Sequence, residues 1–130
     1  MSSFTARRGA LALLLAASLV AAAPAAEAKS YSTSESCLPS SVKSALGSIR
    51  SRYGSIQVVS SYRQGATIRD TGKRSHHANC RAVDFVPPKG KYGSVARWLY
   101  ANFEGGVGTY TCMNHIHIDN GANMRWSKCR

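Results

Sequence analysis

This 130-residue chain holds four histidines, and all of them fall in two short segments. The first reads Ser75-His76-His77-Ala78-Asn79-Cys80-Arg81-Ala82-Val83-Asp84, the second His115-Ile116-His117-Ile118-Asp119. Each closes on an aspartate. Neutral imidazole and carboxylate are natural ligands of a catalytic zinc, which takes three protein ligands and keeps a fourth position open. In the second segment polar and apolar residues alternate. Positions two apart in a strand share a face, so His115, His117 and Asp119 point one way and the two isoleucines the other. A solvated sheet face would alternate too, but Lys, Thr and Glu are its usual residues. The first segment says less by itself, because a histidine and an aspartate at that spacing are common by chance. Together the segments offer a His2Asp set: one His and one Asp from the first, one His from the second. Zinc in such a set can bring the pKa of a water molecule to about 7, which prepares it to attack an amide carbonyl. His76 stands beside His77 as the alternative ligand.

The elements around these residues form an α+β pattern. From Pro39 onward Val42, Leu46, Ile49 and Tyr53 recur at helical spacing, with Ser40 or Ser41 as the capping residue and Gly54 as the stop. Ile56–Ser60 is rich in β-branched residues and reads as a strand. Residues 61–76 read as a long loop with several basic residues, of the length that is usually functional in a compact domain. Arg81–Val86 reads as a second strand, with Ala82 and Asp84 on one face and Val83 and Phe85 on the other. Pro87-Pro88-Lys89-Gly90 is a turn. Tyr92–Phe103 is a helix with Val95, Trp98 and Leu99 on its buried stripe, ended by Gly105-Gly106. Val107–Cys112 and His115–Asp119 are two further strands, and Trp126 and the Cys129 tail close the chain. There are no internal repeats. The expectation is a small, mainly antiparallel sheet with two or three helices. Trp98 and Trp126 are read as packing residues.

Residues 1–28 read as a secretory signal: Arg7-Arg8, an apolar run from Leu11 to Ala23, and a small-x-small cleavage site at Ala26-Glu27-Ala28. The apolar run is shorter than the roughly 18–20 residues that span a membrane, so no transmembrane anchor is expected after cleavage. Residues 29–36 are polar and Ser-rich and read as a flexible lead-in. Residues 37–130 form one small domain, of a size that is marginal without cross-links. Cys37, Cys80, Cys112 and Cys129 can supply them in an oxidising compartment, since no CxxC pair suggests a cysteine metal site. Four cysteines allow three connectivities, and the sequence alone does not choose. Lys+Arg number 17 against 6 Asp+Glu, a formal net charge of +11. Such a chain is drawn to polyanions. For an exported protein these are anionic envelope polymers rather than nucleic acid, and a monomer is expected.

Ser75-x-His77-x-x-Cys80-x-Ala82-x-Asp84 followed by His115-x-His117 resembles the zinc D-Ala-D-Ala carboxypeptidases and related murein peptidases of the M15 type. Ser60-Ser61-Tyr62-Arg63 is similar to that family's Ser-x-Tyr-Arg element. Gly106–Tyr110 and Arg125-Trp126 fit the same pattern, so the resemblance runs from about Cys37 to Trp126. It implies the zinc DD-peptidase fold and one zinc held by His77, Asp84 and His117. It implies His115 as general base or proton shuttle, since Asn114 stands where some relatives carry a glutamate. It further implies Arg63 as the group that polarises the scissile carbonyl, Ser75 as a residue that binds substrate or orients a ligand, and Asp119 as a histidine's hydrogen-bond partner. The function it implies is hydrolysis of amide bonds involving D-amino acids in peptidoglycan stem peptides, as a carboxypeptidase or an endopeptidase on D,D or L,D bonds, in a periplasmic or secreted protein. The alternatives are a catalytically silent peptidoglycan-binding module on the same fold, and a secreted basic protein acting on membranes by charge alone. The sequence departs from the family at Cys80, where glycine is usual. If that position needs a positive φ, cysteine is strained there unless a disulfide holds it. The expected pairing is Cys37–Cys80 with Cys112–Cys129. The first would tie the start of helix one to the metal segment, and the second would pin the tail to the strand pair carrying His115 and His117.

Overall fold

The computed structural model describes residues 22–129, apart from 24 and 27. Of the expected signal, 1–28, residues 1–21, 24 and 27 therefore lie outside the described residues. Helix α1 is Ser40–Tyr53 and α2 is Tyr92–Asn102. The strands are β1 (Tyr31–Ser32), β2 (Gln57–Ser60), β3 (Tyr62–Arg63), β4 (Ala82–Val86), β5 (Gly106–Tyr110), β6 (His115–Asp119) and β7 (Arg125–Lys128). Five of them form one sheet in the order β2-β4-β6-β5-β7, antiparallel except for the parallel pair β5–β7. The α+β fold with a mainly antiparallel sheet is as expected.

The helices bury the faces that their periodicity marks. Val42, Leu46 and Ile49 of α1 and Val95 and Leu99 of α2 are fully buried against Val83, Phe85, Val107, Ile116 and Ile118 of the sheet. Each such side chain contributes roughly 1.5–3 kcal/mol relative to exposure. The helix start differs from expectation. Pro39 is the N-cap of α1 and offers no side-chain cap; its carbonyl accepts from Lys43 N at 3.0 Å, and neither Ser40 nor Ser41 caps. Gly54 ends α1 with φ 110°, a value that glycine adopts without strain.

Three strands were not foreseen. The polar segment 29–36, expected as a flexible lead-in, carries β1, which pairs antiparallel with β3 in a separate two-stranded sheet. The long loop 61–76 contains β3, a bridge between Thr67 and Arg74, and the start of a 3-10 turn at His76–Asn79. The tail forms β7, anchored by Arg125: its guanidinium donates to Phe103 O at 2.5 Å and Gly105 O at 2.6 Å, just beyond α2. Both disulfides are as expected, Cys37–Cys80 and Cys112–Cys129. Among the described residues no helix is long and apolar enough to cross a membrane.

Candidate metal centre

The sheet has a dry face and a site face, and β4 and β6 present both. Val83, Phe85, Ile116 and Ile118 enter the core. Asp84 and His117 are directly opposed in the β4–β6 register, so their side chains rise together on the other face. The third residue, His77, arrives on the 3-10 turn. That turn is capped by Ser75, whose hydroxyl accepts from His77 N at 3.3 Å. It is closed by Cys80 in the left-handed region, φ 54° and ψ 37°. The departure from glycine at this place thus meets a positive φ, and the bond to Cys37 holds it.

The ligand atoms converge. His77 Nε2 lies 3.2 Å from His117 Nδ1 and 3.2 Å from Asp84 Oδ1, and His117 Nδ1 lies 2.9 Å from Asp84 Oδ1. All three residues are buried. Metal–ligand bonds of about 2.0–2.1 Å in tetrahedral geometry set neighbouring ligand atoms about 3.3 Å apart, close to these edges. The far nitrogen of each imidazole has its own acceptor. His77 Nδ1 faces Ser61 O at 3.3 Å, and His117 Nε2 faces Asp119 Oδ2 at 2.8 Å. A ring that donates on one side turns a lone pair to the other, so both histidines are oriented for one metal ion. The donor set therefore fits a divalent metal, and His77, Asp84 and His117 are the residues that could hold it.

Charge and protons bind these residues to one another. Burial by itself would raise the Asp84 carboxyl, but hydrogen bonds from His117 and His77 outweigh it and hold Asp84 well below the usual carboxylate range. Burial likewise disfavours a charged His117, yet hydrogen bonds to Asp119 and Asp84 raise it to about 9. Asp119 is lowered in turn: its burial is outweighed by His117 and by Gly121 N, which donates to Oδ1 at 2.8 Å.

The remaining expected residues take different places. Arg63 sits at the rim, its guanidinium 3.5 Å from Asp84 Oδ2 and its side chain nearly half exposed. His115 is half-buried and is not one of the convergent ligands; its ring packs on Tyr110 with centroids 5.0 Å apart. His76 is no ligand among the described residues either; its Nε2 approaches Asp119 Oδ1 at 3.8 Å.

Two features were not drawn from the sequence. Trp126 lies against His117, ring centroids 5.3 Å apart, and donates from Nε1 to Tyr110 Oη at 3.3 Å. It reaches there across Gly108, where an added Cβ would come within 2.3 Å of the indole. A Cβ at Gly106 would come within 2.5 Å of Asp119 Oδ2. The alternation in Gly106-Val107-Gly108 was the available signal: its two glycines sit opposite Asp119 and His117 and leave the site face free of side chains. The other is Ser61, whose carbonyl orients His77.

Searches of curated proteins and of solved structures return no match. A family model described as Peptidase M15 matches residues 20–119, which include every residue of the convergent group and both histidine segments. With that match over most of its length and a buried His-Asp-His group that can hold a metal, the chain belongs to the peptidase M15 family.

Proposed function

We propose that this protein is a zinc metallopeptidase of the bacterial cell envelope, periplasmic or secreted, that hydrolyses amide bonds involving D-amino acids in peptidoglycan stem peptides. The observation that carries the reading is the pair of oppositely anchored histidines turned onto one carboxylate within a chain of this family. Zinc held by His77, Asp84 and His117 supplies Lewis acidity, which acidifies water and polarises a carbonyl. The chain's own residues supply the rest. Asp119 and the Ser61 carbonyl fix the two imidazoles, and Ser75 caps the turn that delivers His77. Arg63, which is at the rim and partly exposed, donates to the oxyanion that develops on the scissile carbonyl. His115, two residues from His117 on the same strand face, accepts a proton from the attacking water and returns it to the leaving amine. The two disulfides suit a protein that works outside the reducing cytoplasm.

The test is incubation of the domain with defined muropeptides, once with one equivalent of zinc and once after chelation, read by mass spectrometry. Zinc-dependent release of a D-amino acid, or zinc-dependent opening of a cross-linked dimer, is expected, and the product mass distinguishes carboxypeptidase from endopeptidase. No product from any muropeptide at full zinc occupancy would overturn the proposal.

A further inference from the structure

The polar segment ahead of the first helix is tied to the site residues by an unbroken chain of contacts. Ser32 O accepts from Ser61 N at 2.8 Å and from Ser61 Oγ at 3.1 Å. Ser61 is fully buried, and its carbonyl faces His77 Nδ1. Two residues further on, Arg63 is the register partner of Tyr31 and reaches Asp84. Gln64 closes the ladder: its N donates to Ser30 O at 3.0 Å, and its side-chain oxygen accepts from Ser30 N at 2.9 Å. The Tyr31 hydroxyl donates to Val59 O, which fastens the strand to β2 as well. Arg63 therefore lies on, and Ser61 immediately precedes, a two-residue strand whose one ladder partner among the described residues is β1.

We propose that β1, acting through Ser61, is a positioning element of the metal centre: it sets the carbonyl that orients His77 and the strand that presents Arg63. The proposal rests on His77 being a metal ligand. A carbonyl can hold the His77 tautomer only if its own peptide is held. The two bonds to Ser32 O hold the Ser61 residue that carries this carbonyl, one through its N–H and one through its side chain. Without β1 the buried Ser61 N–H and hydroxyl lose their acceptor, and β3, which begins at the next residue, has no strand partner to fix its direction. No other element packs on β3 by strand pairing among the described residues.

Two variants test this. One is a chain beginning at Ser34, which lacks β1 but keeps Cys37; the other is Ser61→Ala in the chain beginning at Lys29. Zinc affinity is measured by competition with a chromophoric chelator, the unfolding midpoint is measured on the metal-free protein, and kcat and KM are measured on a stem peptide. Loss of a partner that orients a metal ligand costs about 10–100-fold in metal affinity, so the deletion is expected to weaken zinc by that range and Ser61→Ala by less. The metal-free midpoint of Ser61→Ala should stay near that of the parent, which separates positioning from general destabilisation. In the deletion kcat should fall more than KM rises, because Arg63 acts in the transition state. Unchanged zinc affinity in both variants overturns the proposal. If the deletion fails to fold, Ser61→Ala decides alone, and parental zinc affinity there overturns it. If the parent itself binds no zinc, the metal assignment has failed, a result distinct from either.

Discussion

His117 is grasped at both ring nitrogens, by Asp84 on one side and Asp119 on the other, and this makes proton and metal competitors for one atom. In the metal-free domain its pKa is raised from its ordinary 6.5 to about 9, so the stabilisation from its charge is complete below pH 6.5 and is lost as pH rises through 9. Asp84 and Asp119 are lowered below their ordinary 3.8, so their contribution is present above that value and is lost as pH falls. The metal-free domain should therefore be most stable between about pH 4 and 6.5. Zinc must displace the His117 proton, so its affinity should climb by up to about tenfold per pH unit from 6.5 toward 9. Chelator competition across that range measures the slope, and a flat profile would mean that Nδ1 is already free. A second contrast separates the histidines of β6. His117→Ala should lose zinc. His115→Ala should retain it and lose about 10²–10⁴-fold in kcat, the usual worth of a positioned acid–base group. Metal analysis and muropeptide kinetics on the two variants check this together.

The 3-10 turn that delivers His77 shows how one element balances two opposing effects. The residue that closes it, Cys80, has a positive φ, which costs a residue with a Cβ about 1 kcal/mol relative to glycine. The bond to Cys37 closes an interval of 43 residues, worth roughly 4 kcal/mol in the chain-entropy model. The disulfide should therefore dominate. Denaturant unfolding of the double variants Cys37→Ser/Cys80→Ser and Cys37→Ser/Cys80→Gly would resolve the two effects: both should be destabilised, the glycine version by about 1 kcal/mol less. Equal losses would show that the backbone carries no strain at residue 80. The same element marks the limit of what the sequence reveals. Alternation placed His117 and Asp119 on one face of β6, and helical periodicity found α1 and α2, because burial imposes those periods. β1 and β3 are two residues long, too short for any period to declare itself, and β7, Arg125–Lys128, has none of the β-branched residues that marked β2. What creates them is distant: Ser32 meets Ser61, and Arg125 meets the carbonyls beyond α2. Ser61 escaped notice as a site residue for the same reason, since it acts through a backbone oxygen that every residue type possesses.

Taken whole, the molecule is strongly cationic, with 17 basic against 6 acidic residues. Exposed charges of this kind act over about a Debye length and are screened by salt, while the buried site is not. Raising ionic strength should therefore depress turnover on intact, anionic cell-wall material far more than on small soluble muropeptides. Parallel assays at several salt concentrations check this, and equal salt sensitivity would remove charge from the recognition of the wall. The sheet order carries a different consequence. Strands β4 and β6, which supply Asp84 and His117, are interior to the five-stranded sheet, with a hydrogen-bonded neighbour on each side. His77 comes instead from a four-residue turn outside that sheet, fastened by Cys37–Cys80. Opening events in a native protein are cheapest where the fewest buried contacts must be broken. Backbone amides of β6 should exchange with deuterium only through global unfolding, whereas those of residues 76–79 should exchange through a local opening that speeds up when the disulfide is reduced. The metal would then leave by a hinge at one ligand rather than by dissolution of the site, and the lifetime of the loaded protein would be set by a cysteine pair that never touches the ion.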